Sequence, residues 1–234
     1  MAAYEHLVIS GWQKVSMIDY PGRPSTLVFF GGCNLRCPFC HNPDIVRHNT
    51  PQVIDPETVL QYCHSRRHVL DGIVLSGGEP CLYRLDDFVA EVRSMGYRVK
   101  LDTNGMLPDV SERLAPDYCA LDVKTAPQRY AGSLGCKEID VGPKLQRSID
   151  MVRRMGARGE VRITAAPGIV DAEAIAQIAG LCAGVHTVYL QRMQYHDGHI
   201  LDPVFFEGRE PFTEEHLARF RAHIAPHVTQ CLIR

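Results

Sequence analysis

The chain lacks a charge imbalance. Twenty-five Lys and Arg stand against twenty-seven Asp and Glu, a formal net charge of −2, which offers no attraction for a phosphate backbone or an anionic lipid surface. It lacks an apolar run of membrane-spanning length, and Met1-Ala2-Ala3-Tyr4-Glu5-His6 has no basic stretch followed by an apolar one. Nucleic acid and membrane are therefore excluded as expected partners, and the cytoplasm is the expected location. A second tight cysteine group is missing too: Cys63, Cys81, Cys119, Cys136, Cys182 and Cys231 are scattered. The nine cysteines form an odd set with no secretory signal, which argues against a disulfide framework. What is present suits a globular protein. An apolar fraction of 45% and a charged fraction of 22% over 234 residues give enough chain for one α/β barrel-like domain or two small ones.

The most informative segment is Gly32-Cys33-Asn34-Leu35-Arg36-Cys37-Pro38-Phe39-Cys40-His41-Asn42, directly after the apolar run 26–30. Intervals of four and three residues allow one short loop to present three thiolates, soft ligands suited to zinc or to an iron–sulfur cluster. A zinc site needs a fourth ligand, for which His41 or His48 can be nominated. Adjacent Cys40 and His41 are poorly placed on one tetrahedral ion, so the ligand chemistry favours the cluster. Clusters normally take four protein ligands. Three leave one iron open to a substrate.

Strand and helix signals then alternate. Residues 26–30 read as a buried strand, and Asp55-Pro56-Glu57 opens a helix running to about Val69. Strands follow at 72–75, 97–101, 119–121, 161–165 and 188–190. Helices lie between them at 85–95, 109–114, 143–155 and 171–182, with a looser segment over 126–142. Thr213 opens a last helix, and 228–233 is a possible closing strand. Six β/α units in a row predict an α/β fold of parallel strands, curved as a partial (β/α)6 barrel. Residues 1–25 read as an N-terminal extension and 26–234 as a single domain.

Ligands of parallel β/α folds bind beyond the carboxyl ends of the strands. The cysteine loop, Ser76-Gly77-Gly78-Glu79-Pro80, Asp102-Thr103-Asn104-Gly105, Asp122-Val123-Lys124 and Gln194-Tyr195-His196 all follow such ends, and Arg162 lies in the fifth strand. Each has a structural explanation. Gly77-Gly78 can simply turn the chain, although a glycine pair also permits close backbone approach. Asp102 and Asp122 can cap helices, Lys124 can be a solvated loop residue, Arg162 can belong to a structural ion pair, and His196 can be an ordinary loop histidine. Their shared location speaks for function more strongly than any one of them.

Taken together, these residues resemble the radical S-adenosylmethionine (SAM) enzymes, and the resemblance runs over nearly the whole chain. Within that superfamily the pattern is similar to the activating enzymes of glycyl radical proteins, above all those serving anaerobic ribonucleoside-triphosphate reductase. It is carried by Gly11-Trp12-Gln13-Lys14-Val15-Ser16-Met17-Ile18-Asp19-Tyr20-Pro21-Gly22, the cysteine loop with His41-Asn42-Pro43, Ser76–Pro80, Leu101–Gly105 and Leu121–Lys124, in order and spacing. The resemblance implies one [4Fe–4S] cluster held by Cys33, Cys37 and Cys40. The amino and carboxylate groups of SAM would chelate the fourth iron, and one electron would release methionine and a 5′-deoxyadenosyl radical. That radical would take a hydrogen from a glycine of the partner protein.

The same resemblance implies that Gly77, Gly78 and Glu79 hold the methionyl ammonium. Lys124 and Arg162 would meet its carboxylate and the ribose. Asp102, beside Thr103 in the cofactor-binding set, and Asp122 would bind the ribose or jointly hold a monovalent cation. Phe39 and His41 would contact adenine, and His196 would reach ribose or adenine. Asp19 to Gly22 would border the entry of the target loop. Flavodoxin or ferredoxin is the implied electron donor, and scarce oxygen the implied setting. Two alternatives remain open: a radical enzyme acting on a small molecule, of the deazapurine-forming type, and a non-catalytic iron–sulfur electron carrier. The carrier predicts a fourth regularly spaced cysteine and gives no reason for Glu79, Asp102 and Lys124. His64 and His68, four apart, read as a surface pair.

Overall fold

A computed structural model describes residues 4–47, 53–194 and 200–234. The chain divides into two compact units. One comprises Met1–Cys33, Asp44–Thr103 and Asp109–Tyr118, and the other Asn34–Pro43, Asn104–Pro108 and Cys119–Arg234.

The first unit is built mainly from β1 (Ile9–Ser16), β2 (Ser25–Phe30), α1 (Pro43–Arg47), α2 (Pro56–Arg66), β3 (Gly72–Gly77), α3 (Asp86–Ser94), β4 (Arg98–Thr103) and α4 (Pro108–Leu114). Strands β2, β3 and β4 are parallel and neighbour one another in chain order, with Thr26 opposite Ile73 and Ile73 opposite Val99. Strands β2 and β3 carry apolar runs because helices cover them, while β4 alternates charged and apolar residues: Val28, Phe30, Ile73, Val74, Leu75, Leu101, Phe88 and Val92 have no exposed surface. Asp55 caps α2 by accepting from the Glu57 N–H at 3.2 Å, with Pro56 in the first turn. Gly96, at φ +93°, carries the chain from α3 into β4. The expected N-terminal extension holds β1, antiparallel to β2, a strand not foreseen from the sequence. Its Trp12 Nε1–H donates to Thr26 Oγ1 at 2.8 Å.

The second unit contains β5 (Tyr118–Asp122), α5 (Tyr130–Leu134), α6 (Val141–Met155), β6 (Gly159–Ala165), α7 (Ala172–Leu181), β7 (Thr187–Arg192), α8 (Glu214–Ile224) and β8 (Gln230–Ile233). Strands β5 to β8 are parallel and ordered as in the chain. Leu121, Val161, Ile163, Val188 and Leu190 of the strands are fully buried, as are Leu145, Ile149, Ile175 and Ile178 on the inner faces of α6 and α7. Asp171 caps α7 and Thr213 opens α8 with a capping box through His216. The loose segment predicted over 126–142 contains the one-turn helix α5, and β8 confirms the closing strand. The structure therefore has the expected α/β class: among the described residues, mostly parallel strands form six consecutive β/α units, with one antiparallel strand at the start.

Candidate functional site

In the first unit the segment after β3 is welded to the chain entering the cysteine loop. Gly78 N–H donates to Phe30 C=O and Glu79 N–H to Gly32 C=O, both at 2.9 Å, extending the parallel ladder past the strand ends. This approach requires glycine. A Cβ on Gly78 would lie 1.7 Å from the Gly32 carbonyl oxygen, and Gly77 adopts φ +110° against the Phe30 backbone. Glu79 is fully buried. Its Oε1 accepts from the Cys81 N–H at 3.0 Å and the Thr103 hydroxyl at 2.8 Å. The carboxylate thus ties the turn after β3 to the end of β4.

Asp102, on β4, pairs with Lys100 and accepts from the Ser76 hydroxyl at 3.4 Å. Lys100 and Asp102 are two residues apart and share a strand face. Tyr20, Leu27 and Val74 form an apolar cluster with Phe29 and Tyr118 packed on it, and Lys100 pairs with Val74 in the strand register.

In the second unit the chain over 34–43 is clamped at several points. Arg36 N–H donates to Leu134 C=O at 2.7 Å, and Cys40 N–H to Cys37 C=O at 3.0 Å. Leu201 and Asp202 N–H groups donate to the Cys40 and Pro38 carbonyls at 3.1 and 3.0 Å. Cys37 is buried and Cys40 half-buried. Lys124 ties this loop to β5. Its Nζ lies 3.2 Å from Asp122 Oδ2 and 5.8 Å from the centre of the Phe39 ring, and its N–H donates to the buried Tyr130 hydroxyl at 3.0 Å. Burial works against the Lys124 ammonium, but Asp122 and the Cys37 and Cys40 sulfurs outweigh it and hold the group above its ordinary value. Burial pushes the Cys40 thiol up, opposed by the Asn42 N–H and Lys124.

Arg162 stands opposite Asp122 in the β5–β6 register, and Val123 N–H donates to its carbonyl at 2.9 Å. Its Nε donates at 2.6 Å to Glu160, a nearly fully buried carboxylate that also accepts from Arg234 at 3.2 Å. The structural ion pair weighed for Arg162 is therefore present. His41 is exposed, and His196 lies outside the described residues.

The first unit thus brings Gly77, Gly78, Glu79, Asp102 and Thr103 together. The second brings Cys37, Phe39, Cys40, Asp122, Lys124 and Arg162 together. Sequence reasoning missed Lys100 and Tyr130, and assigned no individual role to Ser76 or to Asn104, whose Nδ2 donates to Asn34 Oδ1 at 2.7 Å. For Lys100 a signal existed: a charged residue between Val99 and Leu101 in a strand must share its face with Asp102.

The donor set fits an iron–sulfur cube. All three loop cysteines are unbridged, and Lys124 offsets negative charge at two of them. Among the described residues no three His, Cys, Asp or Glu side chains stand close enough to hold a single ion. A cube asks less convergence than zinc does, because each thiolate binds a different iron. The six other cysteines are buried, and burial raises the thiols of Cys63 and Cys182 to about 11 and about 12, poor candidates for further ligands.

The Radical SAM superfamily profile matches residues 27–179. The chain belongs to the Radical SAM superfamily. It is 34% identical over 186 residues to a protein of Methanocaldococcus jannaschii provisionally named a glycyl-radical enzyme activating enzyme, covering 74% of each chain. It is 31% identical over 155 residues to 7-carboxy-7-deazaguanine synthase of Methanothermobacter thermautotrophicus, covering 59% of this chain and 58% of that one. A radical SAM methyltransferase of Sphaerobacter thermophilus shares the fold, with a TM-score of 0.64 at 16% identity over 92% of this chain and 67% of that one. The chain is thus a radical SAM enzyme. Among the described residues no helix is long and apolar enough to cross a membrane.

Proposed function

We propose that this radical SAM enzyme is an activase that generates a glycyl radical on a partner protein, with anaerobic ribonucleoside-triphosphate reductase as the best candidate. The observation that carries the reading is the 34% identity spread over 74% of both chains with the Methanocaldococcus jannaschii relative. Cys33, Cys37 and Cys40 hold one [4Fe–4S] cluster. When bound, that cluster supplies the single electron that splits the sulfonium of SAM.

The protein's own residues bind and orient. Gly77, Gly78 and Glu79 receive the methionyl ammonium, and the bonds from Gly78 and Glu79 to Phe30 and Gly32 hold that receptor to the end of β2. Lys124 balances thiolate charge and, with Arg162, meets carboxylate and ribose oxygens. Asp102, Thr103 and Asp122 serve the ribose side, Phe39, His41 and His196 serve the adenine, and Asp19 to Gly22 border the entry of the target loop. Flavodoxin or ferredoxin delivers the electron. Deazapurine formation is the second reading, favoured by the 31% identity to the deazaguanine synthase.

The test is anaerobic reconstitution with iron and sulfide, reduction with SAM, and chromatography of 5′-deoxyadenosine. It is followed by electron paramagnetic resonance of the mixture with the reductase. Cleavage that vanishes in Cys37→Ala, with a glycyl doublet on the partner, is the expected result. Cleavage that responds only to a small deazapurine precursor would transfer the assignment to the second reading.

A further inference from the structure

Lys100 has no exposed surface, although its side chain ends in a charge. Its register partner is Val74, and its Nζ lies 6.0 Å from the centre of the Tyr118 ring. An ammonium taken out of water needs an anion, and the anion is Asp102. The Asp102 carboxylate meets this ammonium at Oδ1 and the Ser76 hydroxyl at Oδ2. The second unit repeats the device, with Lys124 against Asp122.

The resemblance noted from sequence implies a monovalent cation at these two aspartates. The structure does not fit that expectation. A free cation at Asp102 has to compete with an ammonium of the same charge that is tethered two residues away and therefore loses no freedom of its own on arriving. We infer that Lys100 supplies, from within the chain, the positive charge that a bound monovalent cation would supply at Asp102, so that SAM binds without one. Lys100 is a positioning residue: its ion pair holds the Asp102 carboxylate in place. The inference rests on the proposal that Asp102 belongs to the SAM site.

The test uses reconstituted, reduced-iron-replete protein in a tetramethylammonium buffer, with or without potassium chloride at matched ionic strength. SAM affinity is measured by equilibrium dialysis and cation binding by sodium-23 line width. For the unaltered protein, SAM affinity should agree within about twofold between the two buffers, because a cation that does not bind cannot be linked to the ligand. Lys100→Met should lose about tenfold or more in the potassium-free buffer and recover on adding potassium, while Lys100→Arg should stay independent of potassium. A potassium requirement in the unaltered protein overturns the inference, as does Lys100→Met binding equally well in both buffers. If Lys100→Met does not fold, the unaltered protein decides through its sodium line width. No broadening supports the inference, and broadening reversed by potassium overturns it. Failure of the unaltered protein to bind SAM in either buffer overturns the site assignment itself, a result distinct from potassium dependence.

Discussion

Gly78 shows how one absent methyl group can matter. Gly78→Ala places a Cβ 1.7 Å from the Gly32 carbonyl oxygen, so either the turn after β3 or the chain entering the cysteine loop must move. Overpacking of this kind costs about 1–3 kcal/mol and sometimes more. The expected result is a folded protein that takes up much less iron on reconstitution, read by iron assay beside circular dichroism. Normal iron content would show the contact to be soft. Glu79 calls for a gentler change, because alanine would remove the oxygen to which the Cys81 N–H and the Thr103 hydroxyl donate. Glu79→Gln keeps an accepting oxygen and removes the charge. Its melting temperature should stay near that of the parent while SAM affinity falls about tenfold, the scale of one lost charge-assisted hydrogen bond. An unchanged affinity would confine Glu79 to holding the turn. The sequence announced Glu79 through its motif, but its bond to the Thr103 hydroxyl became visible only in the fold, since Thr103 lies on a different strand.

Among the elements, α7 offers a clean test. Asp171 accepts from the Ala174 N–H at 2.9 Å and is paired with Arg129 at 2.7 Å. The Arg129 hydrogen bond, then the Ala174 N–H, hold its carboxyl below the usual range. A carboxylate lowered by folding stabilises the folded state above its unfolded value, and that contribution is lost as pH falls through the lowered folded value. Asp171→Ala should therefore cost about 1 kcal/mol at neutral pH as a lost cap. Asp171→Asn should keep the cap but flatten the decline in urea midpoint below about pH 4. An acid limb unchanged in Asp171→Asn would place the titration elsewhere.

Helices with caps and strands with unbroken apolar runs were legible from sequence for the same reason: local chemistry and burial pattern agree there. Strand β1 and the five-residue helices α1 and α5 were not. A single turn shows no periodicity, and β1 is a strand because β2 offers it an edge. Arg153, near the end of α6, donates to the Leu181 and Ala183 carbonyls at the end of α7, at 3.2 and 2.8 Å, a contact between helices that no local pattern announces.

For the whole molecule, the six buried leftover cysteines argue for a single cluster. Reconstituted protein should hold about four irons per chain, and about eight would reveal a second cluster. What the sequence determined alone is what short spacing and local propensity can carry: three cysteines within one loop, the glycine pair, the helix caps and the alternation of strand and helix. The tertiary structure decided which partner each charge has. Glu79 meets Thr103, Lys100 meets Asp102 under Ser76, Lys124 meets Asp122, and Arg162 shares Glu160 with Arg234. A desolvated charge must find its counterion wherever strand register puts one, and register is settled by packing of the apolar faces rather than by the charged residues themselves.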